Sequence, residues 1–315
     1  MKIAILGAGS LGSLLAGFLS QDSQIELLVH SKGDHGAMMV AKGLEIQGEA
    51  SIQVDSTDAL FTLDEVGIPK QLDGSMDVVL LTGKAHSTPL LAKLANRLLR
   101  PSGIAMSLSN GLGHAEVLVA ALGPHRVVCG TTTYAAGRPG PGGVHFAGHG
   151  QIVLGQLQGG PSALEVQPLI DAFTRSSLSI SWSKHGPSTV WMKVLLNIAI
   201  NPIAALSGLK NGELLNPALF NAALETMLEG ARVARQEGAI LPDDLELEQQ
   251  LQAVLHATSE NNCSMLQDVR TGRMTEIAYL NQAVVERGER IGMRAPMNQM
   301  LSAMIEALTP HSNRH

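Results

Sequence analysis

The sequence predicts an α/β domain followed by an all-α domain. Three observations carry that expectation. Short apolar runs alternate with helical stretches over the first part of the chain, a glycine cluster follows the first run, and beyond about residue 187 only helical periodicity remains. A chain of 315 residues also suits two domains at roughly 100–200 residues each. The boundary is placed near Lys184–Pro187, giving domains 1–185 and 186–315.

The elements follow in order. Residues 2–6, Lys-Ile-Ala-Ile-Leu, form a short apolar run ending in glycine, as a buried parallel strand does. A helical stretch continues to about Ser20. Residues 25–29, 77–82 and 103–108 read as further strands, and 87–99 and 113–122 as helices. Such alternation implies a parallel sheet wound on both faces. Apolar runs at 126–134 and 151–155 flank the glycine- and proline-rich stretch Gly137–Gly150, which predicts antiparallel strands extending the sheet edge. Helical patterns then cover 188–208, 217–238, 243–270 and 274–291. Asn216-Pro217 and Leu241-Pro242-Asp243-Asp244 read as helix starts. The tail Pro310–His315 is expected to fray.

Composition excludes several function classes. Hydrophobic residues make up 45% and charged residues 16%, which supplies cores rather than disorder. The net charge of -6 argues against nucleic acid as a partner, and 3% aromatics are too few for base-stacking platforms. Cys129 and Cys263 lie too far apart in sequence for a disulfide framework or a metal-ligand spacing, and the histidines form no HExxH. A reducing, cytoplasmic setting without a metal is expected. Glycines interrupt the apolar N-terminal stretch, which speaks against a signal peptide. No uninterrupted apolar run of about 18 residues occurs, so no membrane span is expected.

Gly7-Ala8-Gly9-Ser10-Leu11-Gly12 fits G-x-G-x-x-G between a strand and a helix. The first glycine permits the tight turn, the second lets backbone approach a pyrophosphate, and the third lets helix and strand pack closely. The helix N-terminus then offers N–H groups to phosphate. The expected fold is therefore an α/β N-terminal Rossmann-type dinucleotide-binding domain followed by an all-α C-terminal domain. A carboxylate at the end of the second strand would accept the ribose hydroxyl of NAD. Here the strand ends Val29-His30-Ser31-Lys32, and Glu26 comes too early. NADP is accordingly favoured; the competing reading of Lys32 is a solvated loop lysine. Lys84 and Asn110 follow two later strands, on the side where open α/β sheets bind ligands.

The sharpest local signal is the run Trp191–Pro202. Lys193, Asn197 and Asn201 recur at i, i+4 and i+8 in otherwise apolar surroundings. They share a helical face, and burying them without partners would cost several kcal/mol. The stripe reads as the wall of a polar cleft; a hydrogen-bond network between helices is the alternative. Asn211 follows soon after. Asn261, Ser264 and Asp268 lie near one helical face, and Glu276 stands beside a helix start.

These motifs together resemble the ketopantoate reductase family. The matching blocks are Gly7–Gly12, Leu81–Lys84, Asn110-Gly111, Gly130–Thr133, Trp191–Pro202, Asn211–Leu214, Ser264–Asp268 and Thr275–Ile277. The resemblance implies NADPH-dependent reduction of ketopantoate to pantoate, in the route to pantothenate and coenzyme A. It implies Lys193 as general acid and Glu276 as a residue holding cofactor and substrate. It casts Asn110, Asn197, Asn201, Asn211, Asn261 and Ser264 as substrate contacts, and Lys84, Asn110 and Ala136 as cofactor-side residues. Where family members often carry an arginine after the second strand, this chain has His30, with Lys32 two residues on.

A 2-oxo acid is the expected partner, bound between the domains. One alternative is an NADP(H) enzyme for another 2-oxo or hydroxy acid. Another is a non-catalytic nucleotide-binding redox sensor, which would need the glycine loop but not the Lys193 stripe or Glu276. A homodimer through the helical domain is allowed by the sequence and not required by it.

Overall fold

A computed structural model describes residues 1–308; the fraying expected of Pro310–His315 falls outside the described residues. The chain divides into two compact units. One is Met1–Ser109 with His114–Pro187, and the other is Asn110–Gly113 with the residues from Ser188 onward.

The first unit opens with β1 (Lys2–Leu6), α1 (Ser10–Leu19), β2 (Glu26–Ser31) and α2 (Gly33–Lys42). Three short strands follow: β3 (Leu44–Gly48), β4 (Ile52–Val54) and β5 (Leu60–Leu63). Next come β6 (Met76–Leu81), α3 (Thr88–Leu98), β7 (Leu99–Ser107), α4 (His114–Leu122) and β8 (Val127–Thr132). The unit ends with β9 (Ala135–Gly137), β10 (Gly143–Gly148), β11 (Ile152–Gly155), α5 (Ala163–Arg175) and β12 (Ile180–Ser183).

Eight strands form one sheet in the order β12-β11-β8-β7-β6-β1-β2-β5. Pairing is parallel from β5 to β8, and β11 joins β8 antiparallel. Ile3, Ala4, Ile5 and Leu6 are fully buried, as befits a strand covered on both faces. The order reverses at β1, between β2 and β6. In such sheets that switch point, at the carboxyl ends of the strands, is where a ligand crevice forms.

The apolar runs at 126–134 and 151–155 form β8 and β11, which pair antiparallel and extend the large sheet as expected. One part of that expectation needs correction: the stretch between them does not join that sheet. Its β9 and β10 join β3 and β4 in a separate sheet, order β4-β3-β10-β9. That sheet packs Ile46, Val144 and Phe146 into the same core as Leu14, Leu15 and Phe18 of α1. The second strand also runs beyond residue 29. Pairing with β5 carries it on, with His30 opposite Thr62 and Ser31 opposite Leu63. His30 is therefore inside a strand and not past its end.

The second unit is helical: α6 (Gly186–Ser207), α7 (Pro217–Gln236), α8 (Asp244–Ala257), α9 (Ser264–Arg270), α10 (Asn281–Arg290) and α11 (Pro296–Leu308). The first two residues of α6 group with the first unit. The region read as one helix over 243–270 is two helices. At the break, the Asn211 and Gly212 N–H groups donate to the Asn261 and Ser259 carbonyls. The helix read from 274 begins only at Asn281, and α11 was not foreseen.

Leu195, Ile198 and Ala199 of α6 share a core with Met227 and Ala231, Leu251 and Leu255, Val284, and Ile305. By length and mean hydropathy α6 could pass for a membrane span, although Lys193, Asn197 and Asn201 interrupt its apolar run as the sequence showed. Its apolar side chains instead form the centre of this core.

Pro202 lies inside α6. Proline has no N–H, so the Ile198 carbonyl loses its usual donor four residues on. Asn281 supplies the replacement, its Nδ2 donating to Ile198 O at 3.1 Å. Asn281 also donates to Asn298 Oδ1 at 3.0 Å, and Asn298 in turn donates to Glu229 Oε2 at 3.1 Å. Glu229 further accepts the N–H groups of Met297 and Asn298 in the first turn of α11. A carboxylate is favourably placed at a helix N-terminus.

Candidate active site

The candidate nucleotide-binding loop of the first unit is built on β1. Gly7 has φ +75°, and its N–H and that of Ala8 donate to the His30 carbonyl at 2.9 Å each. A Cβ at Gly7 would stand 2.8 Å from Gly83 Cα, so the loops after β1 and β6 touch backbone to backbone. At Gly12 a Cβ would collide with Thr82 Oγ1, which is the close helix–strand packing the motif requires. Gly9 differs from both, since a Cβ there would meet nothing within 4 Å. Gly9 is also the N-cap of α1, and no side chain caps that helix. An open backbone approach beside the N–H groups of Ser10 and Leu11, at the switch point, fits a dinucleotide pyrophosphate.

The other predicted nucleotide-side residues fall at different places. Lys84 is exposed and opens a 3-10 turn over Ala85–Ser87, just after β6. Ser109 Oγ donates to the Gly83 carbonyl at 2.8 Å, tying the β7 end to the β6 loop. Ala136 lies in β9 of the small sheet, packed against the core of the unit. His30 is fully buried, and burial pulls its pKa down. Its ring nitrogens have no hydrogen-bond partner in the structure. The residues at the strand end are instead Ser31, whose Oγ donates to Ala8 O at 2.7 Å, and exposed Lys32.

Sequence reasoning missed His35 of α2. It is buried, accepts from Gly142 N at Nδ1 (2.9 Å), and pairs through Nε2 with Ser13 Oγ of α1 (2.9 Å). Because Nδ1 must accept from a backbone N–H, the proton sits on Nε2. Burial, reinforced by the Arg138 charge, lowers its pKa to about 4.

The candidate catalytic residues lie in the helical unit. Asn110–Gly113 follow β7 in sequence but belong to this unit. Leu112 N donates to Tyr279 O at 2.8 Å, and Asn110 Nδ2 donates to Glu276 Oε2 at 3.2 Å. Glu276 caps a 3-10 turn over Ile277–Tyr279, not a long helix. Lys193 projects from α6 near enough to Glu276 to feel its charge. Burial of the ammonium is the larger effect and lowers the Lys193 pKa to about 8, with Glu276 partly opposing it.

Asn197 and Asn201 continue the stripe from Lys193 along α6. Asn201 O accepts from Cys263 Sγ at 3.5 Å, which places the start of α9 beside the stripe. Cys263 is the N-cap of α9 and Ser264 its exposed first residue. Asn261 precedes the helix, exposed, and its carbonyl accepts from Asn211 N at 3.0 Å. Asn211 is buried and spends its Nδ2 on Thr258 Oγ1 at 2.9 Å. Asp268 is buried on the inner side of α9 and pairs with Arg273 at 3.0 Å. Arg270 donates to Asn262 Oδ1 and Gly208 O, joining the two loops that carry Asn211 and Asn261. No local sequence pattern announces Asn281, Asn298, Glu229 or Arg270, because each acts on backbone distant in the chain.

A glycine loop at the switch point of the first unit and, in the second, a half-buried lysine with a desolvated ammonium beside a carboxylate are features of a pyridine-nucleotide-dependent oxidoreductase. Comparison with known proteins sharpens this class. The family model "Ketopantoate reductase PanE/ApbA" matches residues 3–159, and "Ketopantoate reductase PanE/ApbA C terminal" matches 188–309. The chain belongs to the ketopantoate reductase family.

It is 31% identical over 312 residues to the 2-dehydropantoate 2-reductase of Pyrococcus abyssi, covering 97% of each chain. Identity to the Pyrococcus horikoshii protein of the same name is 32% over 308 residues, covering 98% of this chain and 97% of the relative. Among solved structures, a PanE/ApbA family ketopantoate reductase from Ralstonia eutropha superimposes with TM-score 0.84 at 27% identity, over 98% of both chains. A D-mandelate dehydrogenase in complex with NADH gives TM-score 0.86 at 25% identity, again over 98% of both chains.

Proposed function

We propose that this chain reduces ketopantoate to pantoate, with Lys193 as general acid and NADPH as the preferred reductant. The observation that carries this reading is the Asn110–Glu276–Lys193 constellation in the helical unit of a ketopantoate reductase family member.

A nicotinamide cofactor, when bound, would supply the hydride for the ketone carbon of the substrate. As hydride arrives, negative charge develops on the ketone oxygen, and the Lys193 ammonium stabilises it and donates the proton. With a pKa of about 8, about nine in ten Lys193 side chains are protonated at pH 7. The same pKa makes it a better proton donor than an ordinary lysine. Glu276 keeps the lysine charged against its burial, and Asn110 orients Glu276.

Asn197 and Asn201, with Asn261 and Ser264, offer donors and acceptors suited to the carboxylate and hydroxyl of ketopantoate. Fixing both ends of the substrate aligns its ketone with Lys193. Asn211 acts through the Asn261 loop it binds rather than by direct contact. The glycine loop Gly7–Gly12 would hold the pyrophosphate, with Lys84 and Ala136 on the cofactor side. Ser31 and Lys32, without a carboxylate at the strand end, favour a 2′-phosphate.

The test is NADPH oxidation at 340 nm with ketopantoate, beside a panel of other 2-oxo acids and NADH in parallel. Preferred turnover of ketopantoate with NADPH is expected. The likeness to a D-mandelate dehydrogenase bound to NADH supports a second reading, in which the panel selects another 2-oxo acid or NADH.

A further inference from the structure

We infer that Asn281 is a positioning residue for the reaction, supplying the donor that Pro202 removes from the catalytic helix. The inference rests on the reading of the Lys193–Asn197–Asn201 stripe given above. Pro202 immediately follows Asn201, and the carbonyl it deprives belongs to Ile198, immediately after Asn197. The interrupted turn therefore falls within the stripe, between its second and third members. Without a partner, that buried carbonyl would be costly to leave unsatisfied, and the two halves of the stripe would be free to change their relative orientation.

Asn281 closes the gap from another helix, at 3.1 Å. It can do so reproducibly because it is itself fixed. It is fully buried, and its amide also donates to Asn298 Oδ1. Asn298 is held by the Thr226 carbonyl and the buried Glu229 carboxylate. A chain of polar groups that reaches a single backbone carbonyl inside the reactive stripe is more than a helix-packing contact. It sets where Asn201 stands relative to Lys193, and a misplacement of about 1 Å can cost 10²-fold in rate.

The decisive comparison is Asn281→Leu alone and in combination with Pro202→Ala, which returns a backbone N–H to the helix. Melting temperature, NADPH Kd, and kcat and KM for ketopantoate are measured well below the melting transition. Asn281→Leu is expected to lose about 10-fold or more in kcat/KM, with NADPH Kd unchanged. The double variant is expected to recover most of that loss and of the melting temperature. Wild-type kcat and KM in folded Asn281→Leu would overturn the inference and leave a purely structural role. If Asn281→Leu does not fold, the double variant decides. Recovery of folding and turnover supports the inference, and failure to recover them refutes it. Should the wild type prefer another 2-oxo acid, the same comparison is made with that acid, so the substrate reading and this inference fail separately.

Discussion

If Lys193 is the general acid, the reduction must switch off as the lysine deprotonates. Burial has brought its pKa to about 8, against 10.5 for an ordinary lysine. The protonated fraction is about nine-tenths at pH 7 and falls to about one-tenth at pH 9. The kcat/KM for ketopantoate reduction should therefore be nearly flat up to pH 7, halve near pH 8, and drop about 10-fold from pH 7 to pH 9. The reverse oxidation needs the neutral amine and should rise through the same range. Glu276→Gln removes the charge that opposes desolvation, so the alkaline limb should move to lower pH. Initial rates of NADPH oxidation across pH 6–10, corrected for enzyme stability, measure both. A limb above pH 10, or one that stays in place in Glu276→Gln, would refute the assignment of the limb to a buried lysine coupled to Glu276.

Three further predictions follow from the geometry. His35 titrates near 6.5 when unfolded and near 4 when folded, so below pH 6.5 the unfolded chain takes up the proton first. Stability from this group should fall by about 2 kcal/mol down to pH 5 and about 3 kcal/mol down to pH 4; urea titrations of wild type and His35→Gln would show no difference in pH dependence if His35 is inert. Gly7→Ala, which must place a Cβ at φ +75° against the Gly83 backbone, should weaken NADPH binding about 10-fold or more, the equivalent of about 1.4 kcal/mol; calorimetry giving an unchanged Kd would contradict the loop assignment. Asn201→Ala should raise KM for ketopantoate with a smaller change in kcat, and an unmoved KM would make Asn201 structural.

The glycine loop and the parallel strands were legible because each is a local pattern. An apolar run buried on both faces and a fixed glycine spacing need no knowledge of distant partners. The polar stripe on α6 was legible for the same reason. The small sheet was not, because β10 pairs with β3 from far away in sequence, Val144 opposite Ile46, and neither strand is a long apolar run. The true end of β2 depended on β5, a strand that charged and polar neighbours disguise. α5 does carry a local signal, the Ser162–Glu165 capping box. The Lys193 pKa was beyond the sequence, since a neighbouring carboxylate can be guessed while desolvation depends on the packed surroundings. The same holds for Asn281, whose role exists only because α10 meets the turn that Pro202 interrupts.

The most direct test of the account is single-turnover hydride transfer in Lys193→Ala, with NADPH Kd measured on the same preparation. The account predicts an unchanged Kd and a transfer rate to ketopantoate lower by about 10²-fold or more. A transfer rate equal to wild type, in a variant that is folded and binds NADPH, would show that the proton comes from elsewhere.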